Sequence, residues 1–276
     1  MTTTASPEPA CASTPALPNW QKFPGVALAL AAALAAFFAL PSVHENPRMV
    51  AALGAAVGLL VAWSALLSVG ASLWGQTFRV VFVAPARVHY IQGTVQLAIY
   101  AYWGWYHRDV YAHMPMVLAQ LIFYFAFDGL LSWSRGREWR FGCGPLPIIL
   151  STNVFLWFKP DWYVFQFLLI ACAALGKEFI RWNRDGRRVH IFNPSAFGLV
   201  LFAIVLLATD TTKYTWAGRI ADSFNRPTHI YLVIFLLGLV VQYFFSVTLM
   251  TLSAAATIAA LTFAYTQITG TYHFVT

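Results

Sequence analysis

Charge is scarce in this sequence. Only 10% of its 276 residues are Asp, Glu, Lys or Arg, against about 25% in a soluble globular domain. Apolar residues make up 59%, too many for a surface built to face water. Cysteine is scarce as well. Cys11, Cys143 and Cys172 are odd in number and far apart, with no CxxC pair, which argues against a disulfide framework and a zinc site. Cys172 lies inside an apolar run and is expected to be a small core residue. The chain has no GxGxxG and no Walker A run, so the usual phosphate cradles for dinucleotides and ATP are missing. No Ser/His/Asp or Cys/His arrangement is legible.

Long apolar runs are what the sequence does have. In lipid every backbone polar group must be satisfied internally, which leaves helices and closed barrels. Barrel strands alternate with period two in segments of about 10 residues. These runs are longer and continuous, so the expected fold is an all-α polytopic membrane protein with eight to ten transmembrane helices. The net charge of +7 invites a nucleic-acid reading. In a membrane protein a Lys/Arg excess instead marks cytoplasmic loops, and no nucleic-acid partner is expected.

Residues 1–20 are rich in Thr, Ser, Pro and Ala and read as a disordered cytoplasmic tail. Residues 21–276 form a single transmembrane domain. The tail has no basic start and its apolar run begins only near Val26, which favours a first membrane helix over a cleaved signal peptide. The expected spans are Val26–Leu40, Met49–Leu73, Tyr90–Tyr106 (interrupted by Gln92 and Gln96), Met116–Trp133, Leu146–Phe158, Trp162–Phe179 and Ser195–Ala208. The run Ile230–Ile268 suffices for two crossings at about 20 residues each, with a hairpin placed near Ser246. With the N-terminus in the cytoplasm, that side receives eleven basic residues: Lys22, Arg79, Arg87, Arg135, Arg137, Arg140, Lys177, Arg181, Arg184, Arg187 and Arg188. The other side receives six: Arg48, Arg108, Lys159, Lys213, Arg219 and Arg226. The bias fits the positive-inside rule and places the protein in the inner (plasma) membrane, multi-pass, with its N-terminus in the cytoplasm.

Two spans, Leu146–Phe158 and Ser195–Ala208, are shorter than a full crossing. Both start just after a proline, Pro145 or Pro194, and both follow an Arg-rich loop. Proline suits the first turn of a helix, and Asn193 suits the N-cap before it. Short, Pro/Gly-interrupted segments in corresponding places point to a binding site in repeat-built membrane proteins. The start of such a half-helix offers N–H groups and a positive dipole end to an anion or a polar ring.

The run Gly176-Lys177-Glu178-Phe179-Ile180-Arg181-Trp182, a short basic linker, and His190-Ile191-Phe192-Asn193-Pro194-Ser195-Ala196-Phe197-Gly198 resemble the signature of the NqrB/RnfD membrane family. The stretch Arg140–Pro145 resembles the matching motif of the first repeat. The likeness is specific from Arg135 to Val200. It implies about ten helices in two inverted repeats with short proline-started half-helices, and an electron-transfer role beside other redox or membrane subunits. It also implies a bound flavin, riboflavin or FMN. The family's covalent FMN sits on a threonine in the external loop after the Asn-Pro helix. Here that loop, Asp210–Thr228, holds Thr211, Thr212, Thr215 and Thr228 but no Gly-Ala-Thr or Gln-Ala-Thr, so the flavin is expected to be noncovalent. The chain is similar to the short RnfD-like proteins of enediyne biosynthetic clusters. The cofactor-binding residues on this reading are Gly144, Pro145, Lys177, Arg181, His190, Asn193, Pro194 and Ser195. Lys177 and Arg181 share a helix face at i,i+4. A transporter or channel-like carrier, or an accessory membrane protein of a biosynthetic pathway, is the alternative.

Asp128 is the one carboxylate well inside an expected span, Glu178 standing one residue from the end of another. It either faces the bundle interior or a pathway, with Arg135 an easy partner, or it is interfacial. His89, His107, His113, His190, His229 and His273 fall mostly at helix ends or loops, which suits interfacial histidines better than a bis-histidine haem. Trp103, Trp105, Tyr106, Trp133, Trp139, Trp162 and Tyr163 cluster near span ends, as an aromatic belt would.

Overall fold

A computed structural model of the chain describes residues 23–74, 77–184, 186–245 and 247–270. The N-terminal tail, Cys11, His273 and Ser246 lie outside the described residues. The fold is predominantly α-helical. The helices are α1 (Gly25–Ala35, extended by a 3-10 turn Ala36–Ala39), α2 (Pro41–His44), α3 (Pro47–Trp74), α4 (Arg87–Tyr106), α5 (Arg108–Ser134), α6 (Pro145–Phe155), α7 (Val164–Phe179), α8 (Pro194–Ala208), α9 (Ala217–Asn225), α10 (His229–Phe244) and α11 (Thr248–Thr269). Four strands of three or four residues lie in the connections: β1 (Val80–Phe82), β2 (Trp139–Phe141), β3 (Arg181–Arg184) and β4 (Arg187–His190).

Each expected span falls mainly on a helix, although the last three residues of Leu146–Phe158 run extended beyond the end of α6. The Ile230–Ile268 run divides into α10 and α11, with the break at the expected place. Length is where structure and expectation part. Among the described residues three helices are long and apolar enough to cross a membrane: Pro47–Leu73, Arg108–Ser134 and Thr248–Thr269. α9 and α10 make a fourth if their 97° bend is counted within one span. α1 with its 3-10 turn, and α8, are apolar but shorter. α6 has 11 residues, about 16 Å at 1.5 Å per residue.

α5 is the central helix and packs against α1, α3, α4, α6 and α7. Its buried face runs through Val117, Gln120, Phe123, Tyr124, Phe127, Leu130 and Leu131, a helical period of three and four. α7 and α8 approach closely over small residues. A Cβ on Gly198 would sit 3.2 Å from the Leu169 carbonyl oxygen and 3.3 Å from the Ala173 Cβ. That closeness is how small residues let helix backbones meet. The outer surfaces are apolar: Leu66, Leu73, Leu207, Leu249, Leu261, Phe263 and Ile268 all stand exposed. α11 has no buried residue.

The charged residues sort to the two ends of the bundle. At one end β1 and β2 pair in parallel, Arg79 pairs with Glu138 at 2.6 Å, and Glu178 meets Arg135, Arg137 and Arg181. The basic linker after α7 is an antiparallel hairpin with Arg181 opposite His190. At the other end Arg48 pairs with Asp161 at 3.6 Å, and Arg219 with Asp109 at 3.1 Å. The paired charged residues that charge counting assigned to opposite faces, Arg79, Arg135, Arg137 and Arg181 against Arg48 and Arg219, stand at opposite ends.

Candidate functional site

The sequence-selected residues converge at the basic end, where α7 finishes between the starts of α6 and α8. Gly144 is the N-cap of α6, and a Cβ there would lie 3.7 Å from Lys177 Nζ. Lys177, in the last turn of α7, also reaches over the Tyr124 ring, 5.9 Å from its centroid. Arg181 donates from Nε to the Lys177 carbonyl at 2.8 Å and so covers an orphan carbonyl at the end of α7. Its other arm reaches Glu178 Oε2 at 2.7 Å. One carboxylate thus gathers three guanidinium groups, while Lys177 is left facing Gly144 and Tyr124.

The expected cap on α8 is present. Asn193 Oδ1 accepts from the Ser195 backbone N–H at 3.1 Å and from Ser195 Oγ at 2.8 Å. Pro145, Pro194 and Ser195 are buried, whereas His190 and Asn193 are exposed. The two proline starts differ here: α6 has no side-chain cap. Although part of its surface is open, desolvation by the neighbouring side chains pushes the His190 imidazole below its usual value, and the nearby Lys177 and Arg181 charges push the same way.

Asp128 faces the interior. Trp139 Nε1 donates to its Oδ2 at 3.3 Å, and Lys177, Glu178 and Arg181 lie within electrostatic range. Its expected partner Arg135 pairs with Glu178 instead, at 3.4 Å.

Several aromatic residues expected in an interfacial belt are core residues. Trp103, Trp133, Trp139 and Tyr163 are buried, while Trp105 and Tyr106 are exposed. Each buried ring finds a partner for its polar atom: Trp103 donates to Ser223 Oγ at 2.9 Å, Trp133 to the Arg79 carbonyl at 3.1 Å, Trp139 to Asp128, and Tyr163 accepts from Gln120 at 2.7 Å. Cys172 is only partly buried. His89, His107 and His229 sit at helix ends. His113 departs from the interfacial expectation: its ring stacks on Trp157 with centroids 4.2 Å apart.

A buried polar network on α5, α6 and α7 went unread in the sequence. Gln120, Asn153 and Gln166 are fully buried. Beyond the end of α6 the chain runs extended, and Gln166 serves its backbone as a neighbouring strand would. Its Oε1 accepts the Phe158 N–H at 3.0 Å and its Nε2 donates to the Leu156 carbonyl at 3.3 Å. Gln96, which interrupts an apolar run, donates to the Pro147 carbonyl at 3.2 Å. Gln166 thus satisfies the irregular backbone after α6, while Gln96 ties the first turn of α6 to α4. Comparison with protein family models, curated proteins and solved structures finds no match to this chain.

Proposed function

We propose that the chain is a polytopic membrane protein of RnfD/NqrB type, built from two inverted repeats around α6 and α8, with its basic end in the cytoplasm. In this reading the basic end holds riboflavin or FMN noncovalently and passes electrons to or from neighbouring redox or membrane subunits. The observation that carries it is the convergence of Gly144 and Pro145, Asn193 to Ser195, and the Lys177–Arg181 turn of α7 with His190 beside it. Two helix starts supply positive dipole ends, and Lys177 and Arg181 add full charges. Together these suit an electron-rich ring or a phosphate group. The redox chemistry belongs to the flavin, and the protein positions the ring and sets its electrostatics.

Three helices able to cross a membrane, and the sorting of charge to two ends, support the membrane reading. The short α6 is compatible with a crossing because the extended segment after it lengthens its reach. A second reading, a small-molecule carrier, is favoured by the inward-facing Asp128 beneath Lys177, since an ionisable group within a span marks a pathway.

Absorbance of the detergent-purified protein after incubation with riboflavin or FMN and gel filtration tests the proposal. A flavin spectrum that co-elutes with protein and is released on denaturation supports it. A colourless protein after that incubation contradicts it.

A further inference from the structure

The ends of α5 and α7 bring three arginines onto one carboxylate. α5 closes at Gly136, with φ of 64°. The Gly136 N–H bonds the Trp133 carbonyl at 2.9 Å and the Arg137 N–H bonds the Ser132 carbonyl at 3.1 Å, which is a Schellman turn. It sets Arg135 and Arg137 on either side of the glycine, and both reach Glu178 Oε1 in the last turn of α7. Arg181 meets the other carboxylate oxygen at 2.7 Å.

The cluster is unbalanced. Glu178 neutralises one of three guanidinium charges, and among the described residues these arginines meet no other carboxylate. Asp128 offsets Lys177 further into the bundle. The Glu178 side chain is 16% exposed, that of Arg135 28% and that of Arg181 27%, so salt and water screen the excess only in part. Arg181 is tied to Glu178 and to the Lys177 carbonyl, which leaves the charge of Arg135 and Arg137 in surplus. Each guanidinium carries five N–H donors in a fixed fork, a shape that matches the oxygens of a phosphate group.

An apolar track starts beside the cluster. Arg135 lies over the Phe179 ring, 4.7 Å from its centroid, yet Phe179 remains exposed. Val164, Leu168, Leu175 and Phe179 stand exposed on α7 at intervals of four, seven and four residues, one stripe of a helix. From Leu168 to Phe179 the stripe spans about 16 Å at 1.5 Å per residue, close to one leaflet of a hydrocarbon core about 30 Å thick. We infer that Arg135 and Arg137 hold the phosphate of an anionic phospholipid, phosphatidylglycerol in class, with an acyl chain along the α7 stripe. Basic pockets between membrane helices on the cytoplasmic side take such headgroups. A choline headgroup is disfavoured because its own positive charge meets the same arginines. The inference rests on the membrane reading above and is independent of the flavin.

The test is native mass spectrometry of the detergent-purified full chain, titrated with dioleoyl phosphatidylglycerol or dioleoyl phosphatidylcholine, which differ only in headgroup. The expected result is one phosphatidylglycerol per chain, held about tenfold more tightly than phosphatidylcholine. The double variant Arg135→Gln, Arg137→Gln is expected to bind the two lipids alike. Arg137→Gln alone, on the more exposed arginine, is expected to cut the preference about threefold and carries the test if the double variant fails to fold. Arg48→Gln, at the opposite end, is expected to keep the full preference. Equal affinity for the two lipids in the unmodified protein overturns the inference, as does a preference that survives the arginine variants. Displacement of phosphatidylglycerol by an equal concentration of inorganic phosphate would mark a site for a free anion and overturn the lipid assignment. A carbonate wash of cell membranes checks the membrane reading separately. A chain washed off overturns both, and a chain retained without lipid preference overturns this inference alone.

Discussion

Gln120 and Asn153 exchange both amide hydrogen bonds: Nε2 of Gln120 reaches Asn153 Oδ1 at 3.2 Å, and Nδ2 of Asn153 reaches Gln120 Oε1 at 2.6 Å. Both are fully buried, so the pair locks α6 to α5 in one register. Replacing either with Leu leaves the other amide one donor and one acceptor contact short, although Gln120 keeps Tyr163 and Asn153 keeps the Ile149 carbonyl, and is expected to cost about 1–3 kcal/mol. Replacing both is expected to cost less than the sum of the two singles, with a coupling of about 0.5–3 kcal/mol. Thermal unfolding of the four proteins in detergent measures it, and strict additivity would show that the two amides act independently.

Gln166 is expected to be as sensitive. Gln166→Leu removes the partner of both the Phe158 N–H and the Leu156 carbonyl, leaving two backbone groups unpaired at about 1–3 kcal/mol each. Gln166→Glu keeps an acceptor for Phe158 and is expected to melt between Leu and the unmodified protein. Hydrogen exchange at the Phe158 amide gives a second readout, and unchanged protection in Gln166→Leu would show that the clamp is unimportant.

The close approach of α7 and α8 predicts a steric cost. Gly198→Leu must push against the Leu169 carbonyl and Ala173, and overpacking of this kind costs about 1–3 kcal/mol. The melting temperature is expected to fall, while Gly218→Leu, where an added Cβ meets nothing within 4 Å, is expected to leave it near its starting value. Equal effects at the two positions would show that the helices have room to separate.

His190 gives a pH prediction. Its pKa is lowered by desolvation and by Lys177 and Arg181, so the folded protein resists protonating it. The stability this provides is present above the ordinary value of about 6.5, and declines as pH falls from there toward the lowered value. Imidazole chemical shifts are expected to place His190 below 6.5, and Lys177→Met is expected to move its midpoint upward. A midpoint at or above 6.5, or one that Lys177→Met leaves in place, would contradict the assignment.

Orientation is testable with a native thiol. Cys143 is exposed at the basic end, beside Gly144. In a protein lacking Cys11 and Cys172, a membrane-impermeant maleimide is expected to label Cys143 only after cells are opened. With Cys143 also replaced, Arg226→Cys at the other end is expected to label in intact cells. The reverse pattern would invert the topology.

Much of the helix layout was legible because long apolar runs admit few alternatives. The break between α10 and α11 and the proline starts of α6 and α8 were placed from sequence. The cap at Asn193 was legible because Asn before Pro at a helix start has a local physical cause. The small strands were not, since β1 and β2 are three residues each and exist only by pairing across the chain. Nothing local singles out Gln120, Asn153 and Gln166: the first two need each other across 33 residues, and Gln166 serves backbone groups 8 and 10 residues away that only the folded turn after α6 brings to it. Trp103 and Trp139 read as interfacial because they lie near expected span ends, but Ser223 and Asp128 supply the partners that let them be buried. α9 falls in Asp210–Thr228, which reads as a loop because the helix's apolar face, through Ile220 and Phe224, is too short to stand out.

The central claim is a flavin at the basic end, and the most direct measurement is a riboflavin titration of the detergent-solubilised protein and three variants, followed by flavin fluorescence. The account predicts saturable quenching in the unmodified protein, affinity reduced about tenfold or more by Asn193→Ala and by Lys177→Met, and no change with His113→Phe at the opposite end. The absence of saturable binding, or a loss of affinity only in His113→Phe, would contradict it.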